Sequence, residues 1–440
     1  MARVKMIAML VFIMSLGLVF VACSEQSGGE QVEQEEVEDQ SSEVVELNFV
    51  NWATAEDATK EKIEKVISAF EDENPNIKIK SVTVPFSEIQ NQLTVMTTGG
   101  NPPDIAQVDA NAGVSLATMG ALEPVDNLLS EDFLSELNSS YYDTGLYDGE
   151  HYLVPWGGGI NGFWYNKTIM EEAGLDPENP PKTMEELESA MEAVKQLPDV
   201  IPLQYDTTPR PFSTTFQWSF MVTLDNEPFS RDGSQVNEMT DYAEWLRNLV
   251  DKEYTLPGKK LGEFRPLAAQ NRLAFAFDAP FFKGTVQSFD EAITDEVFND
   301  TWGVTTLPVG PTGKSYSAIG GSDHFTGVFK ASQHKEEAVK FLEFIANSDV
   351  ALQDYIIPMG YLPVTSSSLE RFPELNDDLV TKSFMEEIVP TSVAPPFGEK
   401  YAEAASILAT NMQEIITTSN PVEEILNKTQ IKLESIIEGK

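Results

Sequence analysis

Short segments with a strand pattern and longer segments with a helix pattern alternate along the chain from Val45 onward. Residues 45–50 alternate apolar and polar side chains, which is typical of a half-buried strand. Residues 63–70 place their apolar side chains at helical spacing, and residues 76–84 return to the strand pattern. A further helix pattern and the strand pattern of residues 104–108 follow. This β-α-β-α-β order predicts an open α/β sheet with helices on its faces.

The same alternation continues toward the end of the chain. Thr183 and Glu186 have the spacing of a capping box and predict the start of a helix. Residues 273–277, 302–308 and 325–330 predict further strands. A length of 440 residues, of which 41% are hydrophobic, predicts a packed core divided among two or three domains or between two lobes.

The N-terminus has the pattern of an export signal. Residues 1–22 join a short basic start to an apolar run that is at the lower limit for a spanning helix, so they predict a signal peptide. Cys23, the only cysteine, follows directly and resembles the lipidated cysteine of a bacterial lipobox, with Phe20 in place of the usual Leu or Val. We expect Cys23 to carry acyl chains such as palmitate, and residues 24–44 to form a disordered acidic tether.

The charge of the chain excludes several classes of function. The sequence has 29 Lys and Arg against 71 Asp and Glu, a formal net charge of −42. This balance argues against nucleic-acid binding and against basic-patch adhesion to anionic membranes. The three histidines are far apart, and we expect no metal and no cofactor. With 71 acids, a catalytic carboxylate pair of a glycoside hydrolase stays open as an alternative.

Aromatic and polar side chains follow several of the predicted strands or lie in Gly-rich loops. In open α/β sheets, ligands bind beyond the carboxyl ends of the strands. A sugar ring presents an apolar face to an aromatic ring and a hydroxyl rim to carboxylates, amides or arginine. The pattern therefore predicts a carbohydrate cleft. Its candidate residues are Trp52, Asp109, Asn111, Trp156, Arg210, Trp218, Asp278, Phe281 and Asp323.

Six stretches of the chain resemble, in order and spacing, the family 1 extracellular solute-binding proteins of ABC importers, which include maltose- and multiple-sugar-binding proteins. The stretches are residues 97–129, 152–187, 271–281, 302–314, 320–345 and 360–364. The resemblance implies the two-lobed (type II) periplasmic-binding-protein fold with a hinge between the lobes. It implies lobe 1 at residues 45–155 and 304–349, and lobe 2 at residues 156–303 and 350–440.

The resemblance also implies a function without catalysis. A mono- or oligosaccharide would bind between the lobes and pass to ABC permease subunits, with the protein a monomer anchored by lipid to the outer face of the bacterial cell membrane. Trp218 matches an aromatic of the maltose binders, whereas Val108, Gly159 and Phe281 depart from their pattern. The resemblance therefore leaves saccharides other than maltose open. The alternatives are a polyamine, phosphate ester or metal as solute, and a secreted glycoside hydrolase.

Overall fold

The computed structural model describes residues 44–437, apart from residues 58, 226–238, 319–322, 394, 396, 398 and 399. The predicted signal peptide, the lipidation site Cys23 and nearly all of the predicted tether therefore lie outside the described residues. Within the described residues, no helix is both long enough and apolar enough to cross a membrane.

In the described part of the chain, nine strands form two separate sheets. In chain order they are β1 (Val45–Asn51), β2 (Ile77–Thr83), β3 (Ile105–Val108), β4 (Val154–Gly157), β5 (Gly162–Asn166), β6 (Ile201–Leu203), β7 (Leu273–Asp278), β8 (Trp302–Thr305) and β9 (His324–Val328). The first sheet has the order β2-β1-β3-β9-β4, and the second has the order β8-β5-β7-β6. Two short pairs complete the strands: Leu146–Tyr147 with Glu150–His151, and Ser317–Ala318 with Ser392–Val393.

Helices surround both sheets. Those of eight or more residues are α1 (Lys60–Glu73), α2 (Phe86–Thr98), α3 (Ala110–Thr118), α4 (Met184–Val194), α5 (Pro211–Asp225), α6 (Thr240–Asp251), α7 (Phe282–Phe289), α8 (Lys335–Asn347), α9 (Tyr401–Thr417) and α10 (Val422–Ile437). Shorter helices are Glu131–Glu136, Ser139–Tyr142, Lys167–Glu172, Arg265–Ala269, Asp295–Thr301, Asp349–Ala351, Ile357–Met359, Ser366–Arg371, Pro373–Asp377 and Leu379–Ser383. Single turns of 3₁₀ helix are Asp143–Gly145, Leu261–Glu263 and Val389–Thr391, and π-helical turns are Leu352–Ile356 and Phe384–Ile388.

The first sheet forms as the alternation predicts. β1 pairs in parallel with both β2 and β3, while β9 is antiparallel to β3 and to β4. α1 buries Ile63, Val66, Ile67 and Phe70, which are the residues at helical spacing in the sequence. Phe70 and Phe341 meet edge to face at 5.1 Å, so α1 and α8 share one apolar layer on this sheet.

The second sheet has its own core. β5 is antiparallel to β7 and β8, and β6 pairs in parallel with β7. Successive residues of β5 serve opposite faces: Phe163 stacks on Phe275 at 5.6 Å, while Trp164 packs against Phe282 at 5.0 Å. Val304 pairs with Trp164 in this sheet, whereas the implied lobe division placed it with the first sheet. Trp156 and Gly157, which the implied division placed in lobe 2, lie in β4 of the first sheet, where Gly157 pairs with His324. The other lobe boundaries stay a prediction.

The predicted capping box at the start of α4 is only half formed. Thr183 accepts a hydrogen bond from the backbone N–H of Glu186 at 3.1 Å, as a helix N-cap does. The Glu186 carboxylate accepts instead from the backbone N–H of Lys182 at 2.7 Å, one residue earlier than the motif requires. The helix start is therefore predicted correctly, although the second hydrogen bond is displaced.

Candidate functional site

A cleft of about 760 Å³ is lined by residues that follow strands of both sheets. Trp52 follows β1 and His324 opens β9 on the first sheet, while Asp278 ends β7 and Phe281 follows it on the second. Tyr361, in the segment after the helix Ile357–Met359, also lines the cleft. The volume lies within the range of about 300–1,000 Å³ that is usual for small-molecule sites.

The candidate residues from the sequence divide into two groups. Five of them line this cleft, and they are Trp52, Arg210, Asp278, Phe281 and Asp323. The other four lie elsewhere, and they are Asp109, Asn111, Trp156 and Trp218. The structure thus gathers just over half of the candidates around one cavity.

Trp52 is held by a hydrogen bond to its backbone and by contacts of its ring with two other rings. Its backbone N–H donates to Gln107 Oε1 at 3.1 Å. The indole meets Phe86 edge to face at 5.2 Å and His324 at 5.3 Å. Trp52 is therefore a rigid aromatic wall whose orientation is set before any solute enters.

Asp278 has a different role from the one predicted. The sequence suggested that it hydrogen-bonds the solute, but its oxygens already accept from Arg265 Nε at 3.0 Å, Arg265 Nη2 at 2.9 Å, Gln204 Nε2 at 2.9 Å and the backbone N–H of Ala279 at 2.9 Å. Those four bonds use the carboxylate's accepting positions. Asp278 therefore fixes Arg265, and Arg265 is the group that faces the cleft.

Arg265 joins the polar and aromatic parts of the cleft. Its guanidinium carbon lies 5.0 Å from the centre of the half-buried Phe281 ring. The bidentate pair with Asp278 uses Nε and Nη2, and no residue in the described part of the chain accepts from Nη1. An N–H edge beside an aromatic ring is thus available to a ligand oxygen. Sequence reasoning missed Arg265 because it precedes β7 by one short helix rather than following a strand.

Arg210 is fixed in a similar way. Its Nη2 donates to Asp206 Oδ2 at 2.6 Å and its Nε donates to Thr208 Oγ1 at 2.8 Å. Asp206 is fully buried and also accepts from Ser213 Oγ at 2.9 Å. The second sheet thus presents two guanidinium groups that are each anchored by a buried carboxylate.

Trp156 does not offer a face to the cleft in this structure. It is 1% exposed, stacks on Tyr355 at 5.0 Å and meets the His324 ring edge to face at 5.3 Å. This differs from the predicted stacking on solute, and the reason is that Tyr355, from a distant π-helical turn, covers the indole. Tyr361 stacks on Tyr355 at 5.9 Å and reaches the cleft in its place.

Asp109 and Asn111 lie at the start of α3 of the first sheet, a helix that contacts α9, whereas Trp218 lies on α5, which also contacts α9. Asp109 caps α3 by accepting from the backbone N–H of Ala112 at 2.8 Å, and Asn111 lies in the first turn of that helix. Burial raises the pKa of Asp109 to about 6. Trp218, on α5, is buried against Phe397 at 5.8 Å. Asp323 connects the two groups, because it lines the cleft and its charge also reaches Tyr401 of α9.

Comparison with known proteins identifies the family of this chain. The sequence profile of the bacterial extracellular solute-binding proteins matches residues 52–351, more than half of the chain. This chain belongs to that family. The resemblance stated from the six sequence stretches is therefore confirmed, and the chain is an extracellular solute-binding protein.

Proteins of known structure or sequence are similar to this solute-binding protein. A solute-binding protein of Thermotoga lettingae bound with α-D-tagatose has a TM-score of 0.74 and 22% identity, covering 90% of this chain and all of that one. Maltose-bound MalE3 of T. maritima has a TM-score of 0.76 and 18% identity, covering 89% and 100%. The sn-glycerol-3-phosphate-binding periplasmic protein of Shigella flexneri is 24% identical over 343 residues, or 72% of this chain and 74% of its own. The predicted two-lobed α/β fold is confirmed.

The solute-binding protein has no described cluster of three or more His, Cys, Asp or Glu side chains that is placed to hold a metal ion. The cleft instead combines aromatic rings with anchored hydrogen-bonding groups. Such a lining can bind and orient a solute through ring faces and fixed donors.

Proposed function

We propose that this protein captures a mono- or oligosaccharide in the cleft and delivers it to the permease subunits of an ABC importer. The observation that carries the proposal is the pairing of the Phe281 ring with the Arg265 guanidinium at the cleft wall. A pyranose ring needs an apolar surface for its C–H face and fixed polar groups for its hydroxyls. Trp52 and Tyr361 supply further rings in the same lining.

The anchoring of the donors supports a neutral, hydroxyl-rich solute. Arg265 and Arg210 are each compensated by a carboxylate, so neither brings a large excess of local charge to the cleft. Because these side chains are already fixed in place, they lose little conformational entropy when a solute binds. A volume of about 760 Å³ in the upper part of the usual range favours more than one sugar unit.

The proposal includes export and anchoring. Residues 1–22 would direct secretion, Cys23 would be lipidated, and the protein would act as a monomer on the outer face of the cell membrane. The support is the basic start, the apolar run and the position of the single cysteine. Replacing Cys23→Ser should move the protein from the membrane fraction to the medium and abolish labelling by a palmitate analogue. Unchanged membrane retention would contradict the lipid anchor.

The solute can be identified by calorimetry of the purified protein against neutral mono- and oligosaccharides. Glycerol 3-phosphate, spermidine and divalent metals complete the screen, because one relative is named for a phosphate ester. We expect saturable binding of one saccharide class without product formation. Binding of a non-sugar alone would overturn the sugar assignment, and product released from an oligosaccharide would favour a glycoside hydrolase.

Phe281→Ala tests the site, and Phe289→Ala on the same chain segment is the matched control because Phe289 is 51% exposed and lies outside the cleft lining. The cleft variant should weaken saccharide binding by about 1–3 kcal/mol through loss of the ring surface. The control should bind as the unmodified protein does. Equal affinities of the two variants would remove Phe281 from the site.

A further inference from the structure

The side-chain amide of Gln107 has only one possible orientation. Gln107 is fully buried in β3, and its Oε1 accepts from the backbone N–H groups of Trp52 and Ala53, both at 3.1 Å. Only the oxygen of a glutamine amide can accept hydrogen bonds, so the atom facing two N–H donors must be Oε1. The Nε2 group of Gln107 therefore points the other way as a donor.

That donor fixes the proton position on His324. Gln107 Nε2 lies 3.0 Å from His324 Nδ1. A nitrogen that receives an N–H bond carries a lone pair and no proton, so the proton of the neutral ring is on Nε2. Burial lowers the pKa of His324 to about 3, which keeps the ring neutral at physiological pH. The chain of bonds from the end of β1 thus selects one tautomer.

The remaining ring nitrogen of His324 belongs to a side chain that lines the ligand cleft. His324 lines the cleft, and no residue in the described ranges accepts from its Nε2. The imidazole meets Trp52 and Trp156 edge to face, each at 5.3 Å, and lies 4.3 Å from the Tyr361 ring. A bulge in the pairing of β9 with β4 falls between His324 and Phe325, and bulges commonly redirect a side chain beside a site.

We propose that His324 is a specificity-determining residue whose Nε2–H donates to an oxygen of the bound saccharide, and that Gln107 is a positioning residue that sets this tautomer. The inference rests on the proposed sugar-binding function. Because the neutral ring in this tautomer can only donate there, the solute must place a hydroxyl, ring or glycosidic oxygen opposite Nε2. A saccharide with an ammonium or a bare C–H at that position is excluded, since neither accepts a hydrogen bond.

The tautomer can be measured directly, because the chain contains only three histidines. The full protein, purified without a histidine tag and labelled with ¹⁵N-histidine, would show three rings in long-range ¹⁵N–¹H spectra. The resonances of His324 are those lost in His324→Gln. We expect an unprotonated Nδ1 and a protonated Nε2 in the absence of solute, unchanged between about pH 5 and 8. A protonated Nδ1 would overturn the inference whatever the solute proves to be.

Binding of the saccharide identified in the screen tests the donor. His324→Phe keeps an aromatic ring without the N–H and should weaken binding about tenfold. His324→Gln replaces the donor with an amide and should recover part of the loss. His334→Gln, outside the cleft lining, is the control and should bind normally. Unaltered affinity of His324→Phe would overturn the role of His324 but leave the sugar function intact, whereas no saccharide binding by the unmodified protein would refute the function itself.

Gln107→Glu tests the positioning role. A carboxylate at this place still accepts from Trp52 and Ala53 but offers His324 a second acceptor instead of a donor. The proton should therefore appear on Nδ1 in the ¹⁵N spectra, and affinity should fall together with that change. Gln107→Met, which offers His324 no N–H, is the second variant in case the charged side chain prevents folding. Retention of the Nε2–H form and of normal affinity in whichever variant folds would overturn the role of Gln107.

Discussion

Asp278 and Asp109 stand at equivalent places in their sheets but in opposite electrostatic surroundings. Each lies at the carboxyl end of a strand, and each is a candidate solute ligand by sequence pattern. Asp278 is paired with the Arg265 guanidinium at 2.9 Å. Within the described residues, the hydrogen-bond partners of Asp109 are backbone N–H groups, and burial raises its pKa to about 6. The comparison shows that position at a strand end determines where a carboxylate lies. Contacts with residues distant in sequence determine how the ionised carboxylate affects the free energy of unfolding.

The largest expected effect follows from breaking the compensated pair. Asp278→Asn leaves the guanidinium of Arg265, 18% exposed, without its counter-charge. Removal of one partner from a buried pair costs about 3–5 kcal/mol, and we expect a loss of about 3 kcal/mol in the free energy of unfolding. Urea denaturation at pH 7 measures it. Asp295→Asn is the control, because the Asp295 side chain is 74% exposed and should cost less than about 1 kcal/mol. Equal losses in both variants would show that the Asp278 pair contributes no more than a surface pair.

Asp109→Asn should raise the free energy of unfolding, whereas Asp278→Asn should lower it. A folded-state pKa of about 6, above the ordinary value of 3.8, means that ionised Asp109 opposes folding above pH 6 and is neutral in both states below about pH 4. A shift of about two units is worth about 3 kcal/mol. Because Asp109 is half-buried, we expect Asp109→Asn to stabilise the protein by about 2 kcal/mol at pH 8. Asparagine caps helices as well as aspartate does, so α3 should keep its N-cap.

The dependence on pH separates this effect from a change in packing. The stability difference between Asp109→Asn and the unmodified protein should shrink as the pH falls from 6 to 4 and vanish below it. Because the variant and the unmodified protein are compared at each pH, the contributions of the many other acids to the stability cancel in the difference. A gain that is independent of pH would mean that the charge of Asp109 is already solvated in the folded state.

Local periodicity was sufficient for several elements of the fold, but it did not predict β4, β5 or β6. The buried stripe of α1 depends on residues close together in sequence, and the parallel pairing of β1 with its neighbours follows from the β-α-β order of the elements, so pattern predicts both. The strand ends also locate the cleft, because open α/β sheets place ligands there. Trp52 and Phe281 were found in this way.

The remaining site residues depend on contacts that no local pattern records. Trp52 follows β1 and Trp156 lies near the end of β4, yet it is Trp156 that Tyr355, some 200 residues later, covers. Arg265 gains its role through Asp278 and Gln204, which come from different parts of the second sheet. The importance of His324 depends on the amide of Gln107, more than 200 residues earlier. Pairings at such separations need the three-dimensional structure.

The smallest effect concerns a third carboxylate, Asp126, which is stabilised by hydrogen bonds without a buried cation. It accepts from the backbone N–H of His151 at 2.7 Å, from His151 Nδ1 at 2.8 Å and from Tyr142 Oη at 2.9 Å. Burial opposes ionisation, but these bonds outweigh it and lower the pKa of Asp126. Its contribution should therefore be complete above the ordinary pKa of 3.8 and disappear as the pH falls through the lower folded-state value.

Asp126→Asn should cost about 1 kcal/mol at pH 7, because an amide oxygen can still accept from the backbone but loses the charge-assisted part of the other two bonds. The measurement is again urea denaturation, with Asp143→Asn as the control, since Asp143 lies 3.4 Å from the other nitrogen of the same histidine and is 65% exposed. Asp126→Asn should thus destabilise the protein, as Asp278→Asn does, although it breaks no buried ion pair. If it stabilised the protein instead, as expected for Asp109→Asn, then burial rather than hydrogen bonding would determine the cost of a carboxylate in this fold.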